Sequence, residues 1–507
     1  MRRIALAPLI LFGSTFLVYN LAAYANDPLA ELRLSSDDGA RQQIIALTRD
    51  LNLDVPPPIR YFLWLKGILG IFVGKFDLGD TRSATTVWEE LSYAIPVSLR
   101  LVFVATITAL VIGLALGIIS ALRQYSRFDY AMTFLAFLLF SLPIFWVAVL
   151  LKEFMAIQFN NFLSEPNIPI KWMAAFSIFI GIFWSSLFGG ERKRFWSVFG
   201  GAFATSFVIL WAIDFTDWYL NPGLGIILIA LLSVGIAFGV TAISTGLSNV
   251  PAKKAALTMA GLAVVWYYPA QWIFNNFGSY FTIFILISLI VLTGLGLSRI
   301  YSKIDHGPIA RTAIITGILS GFLILVDRIM QSWDDYFATD AVNGRPVPTY
   351  GQRKDQLVTE DFWLNNLDTI MHLVLPTLAL ILISVAGWIR YTRGALLEVL
   401  NQDYIRTARA KGLNEREVIT RHALRNTMLP LSSLFVGEFL GLISGAVITE
   451  RVFGWQGMGT LFIRGINGGD PNLLMGVTLL FAVLTIFGNL LADLVYSALD
   501  PRIRLGK

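Results

Sequence analysis

Long uninterrupted apolar runs dominate the chain, and its polar residues gather between them instead of recurring at helical or strand spacing. A run of about 18 or more apolar residues can cross the ~30 Å hydrocarbon core of a bilayer as a helix. The pattern predicts such spans at 4–24, 97–121, 130–151, 172–190, 196–213, 224–246, 255–274, 280–298, 312–329, 369–390, 428–449 and 473–496. A transmembrane barrel would alternate apolar and polar residues, and no such alternation runs through this chain. The expected fold class is an all-α polytopic membrane protein of about twelve spans. Pro143, Pro269 and Pro376 sit in or near these runs. Within a bundle, neighbouring helices can satisfy the backbone groups that a proline frees.

The segments between spans carry an orientation signal. With Arg2 and Arg3 placed inside, the inside loops hold Arg123 and Arg127; Arg192, Lys193 and Arg194; Lys253 and Lys254; and Arg299, Lys303 and Arg311. A long inside loop follows the tenth span, and the tail ends in Arg502, Arg504 and Lys507. The short outside loops 214–223 and 275–279 contain no Lys or Arg. By the positive-inside rule, this predicts an even number of spans with both termini cytoplasmic. The start of the chain, Met1-Arg2-Arg3 leading to Ala23-Tyr24-Ala25, has features of a signal peptide. Its apolar stretch, Ile4 to Ala23, exceeds the ~7–15 residues of a signal core, so it is expected to remain as the first span. Two longer segments fall outside. Residues 25–96 include an amphipathic stretch, Arg41 to Leu51, broken by Pro56-Pro57-Pro58, and read as a small cap on the bundle. Residues 330–367, with Asp334, Asp335, Asp340, Asp355, Glu360 and Asp361, read as a solvated loop.

Composition narrows the chemistry. The chain has 507 residues, 56% of them hydrophobic and only 14% charged, where a soluble chain is about a quarter charged. It contains no cysteine, which excludes disulfides, thiolate metal sites and a cysteine nucleophile. His306, His372 and His422 lie far apart and read as helix caps or headgroup-facing residues, not metal ligands. Gly70-Ile-Phe-Val-Gly-Lys lacks the spacing and the terminal Ser or Thr of a phosphate-binding loop. Neither a cofactor site nor a catalytic constellation stands out, and no nucleic-acid partner is expected. This chain alone should not be an enzyme.

The informative stretch is the long inside loop. Between Arg390 and Arg425 there are eight Lys and Arg against four acids, Glu398, Asp403, Glu415 and Glu417. The segment 403–426 reads as two short helices broken at Gly412, since glycine tolerates the positive φ of a tight turn. Asn414 suits a helix N-cap, with Glu415 and Glu417 near the positive end of the dipole. Small Ala408 and Ala410 would let a partner surface approach closely. Either this is a docking element for a soluble protein, or it is a solvated basic loop.

Resemblance decides between these. Tyr404-Ile-Arg-Thr-Ala-Arg-Ala-Lys-Gly-Leu413 and His422-Ala-Leu-Arg-Asn426 resemble the EAA coupling loop of ABC importer permeases, in the form found in dipeptide and oligopeptide permease B subunits. Arg406 and Thr407 stand where the general motif has Glu and Ala, a departure that subfamily shares. The similarity continues through Gly445-Ala-Val-Ile-Thr-Glu-Arg-Val-Phe-Gly-Trp-Gln-Gly-Met-Gly459 to Leu499-Asp-Pro-Arg-Ile-Arg504. Upstream it takes in Leu51-Asn-Leu-Asp-Val-Pro56, Phe76-Asp-Leu-Gly79, Ser141-Leu-Pro-Ile-Phe-Trp146 and His372-Leu-Val-Leu-Pro376. The resemblance implies a permease subunit that imports peptides or similar solutes across a bacterial cytoplasmic membrane. Its implied partners are a second homologous permease subunit, two cytoplasmic ATPases that hold ATP and Mg, and an extracytoplasmic solute-binding protein. Coupling to the ATPase would fall on Tyr404, Arg406, Thr407, Ala408, Ala410, Gly412, Leu413, Glu415, His422, Arg425 and Asn426. The pathway would run past Glu438, Phe439 and Gly441.

The chain departs from the family pattern in places. Asn26-Asp27-Pro28 replaces the usual Pro-Gly-Asp-Pro, and Gln456 stands where a Pro is common. Glu438 falls mid-span, where it would either line the pathway or pair with a donor on a neighbouring helix. The largest departure is the block 166–357, which separates an N-terminal core, 1–165, from a C-terminal core, 358–507. It splits a six-span type I importer core between spans three and four and adds about six spans. It is expected to form a peripheral lipid-facing bundle; a docking site for an accessory protein is the alternative. The rival functions are a twelve-span secondary transporter and a non-transporting membrane scaffold. A twelve-span facilitator would place its long cytoplasmic loop after the sixth span, where only Ser248–Lys254 occurs.

Overall fold

The computed structural model describes residues 2–25, 27–34, 39–188, 190–302, 305–357 and 359–499. Asn26, Lys303 and the basic tail with Arg502, Arg504 and Lys507 lie outside the described residues. Within them the chain is helical, with one isolated bridge between Asp80 and Thr86. The principal helices are α1 (Arg2–Ala25), α2 (Val87–Leu122), α3 (Arg127–Ser141), α4 (Ile144–Leu151), α5 (Ile170–Leu187), α6 (Arg192–Phe215), α7 (Gly225–Ser244) and α8 (Val250–Val265). They continue as α9 (Tyr267–Asn276), α10 (Tyr280–Tyr301), α11 (His306–Gln331), α12 (Phe362–Leu400), α13 (Asp403–Ala410), α14 (Leu424–Gly445), α15 (Met458–Asn467) and α16 (Pro471–Leu499). Among the described residues nine helices are long and apolar enough to cross a membrane, or 11 if two bent pairs each count as one span.

The breaks follow backbone chemistry. The run expected as one span at 255–274 is two helices, α8 and α9, parted at Trp266. Pro269 lacks an N–H and its ring clashes with the carbonyl four residues earlier, at Val265, so the break falls there. The run expected at 130–151 turns by 100° after α3. Pro143 holds Leu142 extended, at φ −83 and ψ 129. Pro57, by contrast, opens a helix, Pro57–Leu69, because the first helical turn does not need its missing N–H. The amphipathic stretch forms the helix Ala40–Asp50, with Ala40 and Leu51 buried. The acidic segment 330–367 is less solvated than its charge suggests: Trp333, Tyr336 and Val342 are buried together with Leu163, Tyr219 and Leu367.

The helices gather into two compact units. One takes in Met1–Met155, Thr349–Gln352 and Leu373–Lys507; the other takes in Ala156–Pro348 and Arg353–His372. Residues 156–165 and 359–372 therefore cluster with the inserted helices. In the first unit α2 and α12 approach closely at small residues. A Cβ on Gly113 would run into Trp388, and one on Gly117 would lie 2.7 Å from the Cβ of Thr392. In hydrocarbon, where apolar burial between helices gains little, such close backbone contact supplies much of the attraction. At the other end of α2, Leu78, Val87, Leu91, Ala94, Met458, Leu461 and Val477 form a core. Tyr19, Tyr61, Trp64 and Met475 hold α1 and Pro57–Leu69 beside α16, and the Tyr61 hydroxyl lies 2.9 Å from that of Thr15.

In the second unit α5 and α6 form a hairpin, with Phe199 of α6 packed on Gly181 of α5. The helices α7, α8, α10 and α11 pack through Ala237, Ala252, Ala256, Ala260, Leu297, Ile309 and Ala313. Asp327, 1% exposed, organises the end of this bundle. Its Oδ1 accepts the backbone N–H of Leu224 (2.7 Å) and Gly225 (3.1 Å) at the start of α7. Its Oδ2 accepts the Tyr267 hydroxyl (2.7 Å), Gln271 Nε2 (3.2 Å) and Gln331 Nε2 (2.9 Å). Removing this acceptor leaves several buried donors unpaired, at ~1–3 kcal/mol each. Asp327→Ala should lower the melting temperature of the chain in nanodiscs markedly, and Asp327→Asn, which keeps one carbonyl oxygen for the two N–H groups, should lower it less. Equal, negligible shifts in both variants would show that Asp327 does not hold the bundle end.

Candidate functional site

The basic segment between α12 and α14 is built from its turns outward. α12 ends at Leu400 and α13 runs from Asp403 to Ala410. Gly412 then takes φ +75, a conformation that side chains resist, although a Cβ there would meet nothing within 4 Å. The requirement for glycine is therefore conformational. Asn414 caps the next turn by accepting the Arg416 N–H at 3.3 Å. The helix passes through a π turn, Val418–Ala423, directly into α14. Ile405, Ala408, Val418 and Ala423 turn inward and pack with Ala121 and Leu396.

This division places the sequence-predicted residues on two sides. Tyr404, Arg406, Thr407, Ala410, Gly412, Glu415, Arg425 and Asn426 are exposed, and Leu413 and His422 are half-buried. Ala408 is 6% exposed and contacts its own chain's cluster, so its small size serves that internal packing. The outer face is cross-tied by polar contacts. Arg409 grips Glu415 with two bonds, 3.1 and 2.8 Å, across the Gly412 turn. Asn426 Nδ2 donates to the Tyr404 hydroxyl at 2.7 Å, and Arg421 pairs with Glu417 at 2.5 Å. The Arg409 guanidinium holds the Glu415 carboxyl below its ordinary pKa. The pair's stabilisation is complete above the ordinary glutamate value and is lost as pH falls through the lowered one. Because both side chains are about half exposed, it amounts to at most ~1 kcal/mol.

Beneath the segment lies a group that the sequence reading passed over. Asp129, 2% exposed, is held by Arg393 Nε (2.6 Å) and Nη2 (2.9 Å). It also accepts the Ser120 hydroxyl and the Tyr125 N–H, the latter at 3.0 Å. It thereby ties the α2–α3 turn, where Tyr125 takes φ +62, to α12. Arg390 stacks on Phe140, 3.9 Å from the ring centroid. The signal in the sequence is Ser126 three residues before Asp129, a helix-start pattern, in a turn flanked by Arg123 and Arg127.

Two further buried acids lie elsewhere in the same unit. Glu450 is fully buried; its Oε1 accepts the Ser98 hydroxyl at 2.5 Å and its Oε2 the Thr460 N–H at 3.0 Å, at the start of α15. Ser98 in turn accepts the Met458 N–H at 2.8 Å. Asp470 accepts the N–H of Leu473 (2.9 Å) and of Arg82 (2.6 Å), and burial raises its pKa. Glu450 stands within a quoted motif, but it directly follows the run expected as the span 428–449 and precedes Arg451, so the sequence did not mark it as buried. Of the pathway candidates, Glu438 is half-buried, with Ser384 of α12 near its carboxyl. Phe439 packs on the α2 core, and a Cβ on Gly441 would meet nothing within 4 Å. His306 begins α11, while His372 sits inside α12 with Nδ1 2.8 Å from the Asp368 carbonyl oxygen, not at a helix end. No group of three or more metal-ligating side chains occurs among the described residues.

Comparison with known proteins gives these features a context. A family model described as the binding-protein-dependent transport system inner membrane component matches residues 113–505. The oligopeptide transport system permease protein OppB of Mycobacterium tuberculosis is 46% identical over 138 residues, covering 27% of this chain and 42% of its own. The oligopeptide transport system permease protein AppB of Bacillus subtilis is 40% identical over 227 residues, 44% of this chain and 66% of its own. The dipeptide permease protein DppB of the same species is 36% identical over 206 residues, 39% and 66%. The chain thus spans less than half the length of the mycobacterial relative it matches.

The contrast between the two arginine–carboxylate pairs is testable. Breaking a buried pair leaves an uncompensated charge and costs ~3–5 kcal/mol, whereas an exposed pair is worth at most ~1 kcal/mol. Arg393→Met should therefore destabilise the chain in denaturant titrations several-fold more than Arg409→Met. Equal costs would mean that Asp129 is not the tie described.

Proposed function

The chain belongs to the family of binding-protein-dependent transport system inner membrane components, and on that premise we propose that it is a membrane-spanning subunit of an ATP-driven importer of peptides. The observation that carries the reading is the segment 403–426. Its apolar side is closed by its own chain, its charged side is exposed, and it continues into α14. A lever of that kind suits a cleft on a soluble ATPase, with Tyr404, Arg406, Thr407, Ala410, Gly412 and Arg425 at the contact. Ala408, Leu413 and His422 would shape it from within, and Arg409–Glu415 and Asn426–Tyr404 would keep the turn rigid. ATP and Mg belong on the two ATPase subunits. The other partners are a second homologous permease subunit and an extracytoplasmic solute-binding protein. Peptide as cargo is supported by the names of the relatives.

The six-span core would comprise 1–165 and 358–507, with the block 166–357 as an insertion of further spans, and solute would pass near Glu438, Phe439 and Gly441. The placement of Lys and Arg supports a multi-pass chain in a bacterial cytoplasmic membrane with both termini inside.

Two experiments test this. In a complex purified with its ATPases, Gly412→Pro and Ala410→Glu should cut substrate-stimulated ATP hydrolysis by at least ~10-fold, within the usual range of coupling between sites, while the chain still inserts. Undiminished stimulation in both would remove the coupling role. Because the chain has no cysteine, Arg192→Cys and Lys253→Cys should be shielded from an impermeant thiol reagent in intact cells, and Asp217→Cys and Asn276→Cys should label. The inverse pattern would reverse the proposed orientation.

A further inference from the structure

The helices α8, α9, α10 and α11 of the second unit surround a cavity of about 400 Å³. Leu262, Phe274, Leu286, Ile290, Gly321 and Ile324 are among its walls, and no charged side chain lines it. The polar atoms on lining side chains are the Trp266 indole nitrogen and the Thr293 hydroxyl, and that hydroxyl already donates to the Leu289 carbonyl at 2.7 Å. A water molecule needs two to four polar partners to stay in such a space, so this is not a hydrated vestibule. An apolar occupant suits it.

The rim shows which one. Trp266, Ile287, Leu289 and Phe322 border the cavity and are exposed. α10 and α11, which carry three of these four, are long and apolar enough to cross a membrane. Such a mouth opens on lipid hydrocarbon. Polar groups stand beyond its Phe274 end. The carbonyl of Phe274 accepts the Trp363 indole N–H at 2.8 Å, and the Arg328 guanidinium lies 5.2 Å from the centroid of a Trp363 ring. Arg328 also follows the lining residues Ile324 and Leu325 by one turn on the same face of α11; its Nη1 donates to the Ser332 hydroxyl at 2.9 Å, while its Nε has no hydrogen-bond partner. An apolar slot with a cation one ring beyond its end fits an amphiphile with an anionic head. A protein helix, ~10–12 Å across with its side chains, could cover the mouth but not fill the slot.

We propose that this cavity is a lipid site that takes one acyl chain of a membrane phospholipid, with the phosphate toward Arg328. The site is independent of the solute carried and of the coupling segment. The test uses the full chain in nanodiscs of mixed zwitterionic and anionic phospholipid, with a trace phospholipid bearing a photoactivatable group in its acyl chain. Labelling of peptides covering 259–274, 283–293 and 317–325 should saturate near one probe per chain. Labelling of the exposed α6 surface around Trp211 and Phe215 should rise in proportion to the probe. Ala263→Trp fills the slot, and Thr293→Phe narrows it from another helix. In whichever of the two keeps the parent melting temperature, the saturable component should be lost while α6 labelling is unchanged. Arg328→Gln should retain saturable labelling but lose preference for an anionic over a zwitterionic probe. Three outcomes would overturn the proposal: labelling at the cavity that never saturates, saturable labelling that survives both slot variants, or cavity peptides shielded by a second protein.

Discussion

Wherever a helix starts or turns in a buried setting, its open backbone N–H groups must find acceptors inside the chain, since an unpaired buried donor is costly. Much of this molecule is arranged around that constraint. Four carboxyl groups, none more than 4% exposed, each stand at a helix start or turn and accept a backbone N–H. Asp129 takes that of Tyr125, Asp327 those of Leu224 and Gly225, Glu450 that of Thr460, and Asp470 that of Leu473. A buried carboxyl is costly unless it is fully bonded. Each of these is bonded several times over, and each is also tied to an element distant in sequence. The same groups therefore satisfy helix ends and fix which helices are neighbours.

The proposed coupling segment follows from such ties. The turn at Gly412 is closed on the outside by Arg409 and Glu415, and from within by Ile405, Ala408, Val418 and Ala423. Below it, Asp129 joins the α2–α3 turn to Arg393 of α12. The exposed face of α13 thus belongs to one packed and cross-bonded element. The π turn Val418–Ala423 leads from that element into α14 without an intervening loop, and turns of this type often accompany functional sites. Glu438 lies farther along α14 and is half-buried.

The second unit uses a different balance. Its bundle is held by alanine and glycine contacts between helices, by the polar knot at Asp327, and by hydroxyl bonds of Thr312 to Ser244 and of Thr258 to Tyr301. Close approach at Gly294 and Gly317 is confined to particular turns: a Cβ at the first would lie 2.5 Å from Ile314, and one at the second 2.7 Å from Ile290. Gly317 and Ile290 also line the apolar slot, so the close approach borders it.

The sequence by itself determined the all-helical membrane class, most of the spans, the turn at Gly412 with its Asn414 cap, and the family resemblance. These depend on apolar run length, proline and glycine stereochemistry and local side-chain-to-backbone bonds, all of which act within a few residues. The path at 130–151 and at 255–274 was less legible, because an apolar run reads the same whether its helix is straight or broken, even though Pro143 and Pro269 were visible. Tertiary structure alone decided that Ala408 faces inward, that Asp129 grips Arg393 264 residues away, and that Ser98 meets Glu450 352 residues away. It also decided that the acidic segment around Tyr336 is packed. A buried carboxyl and a solvated one are written with the same letter, and only the fold brings the distant donors that separate them.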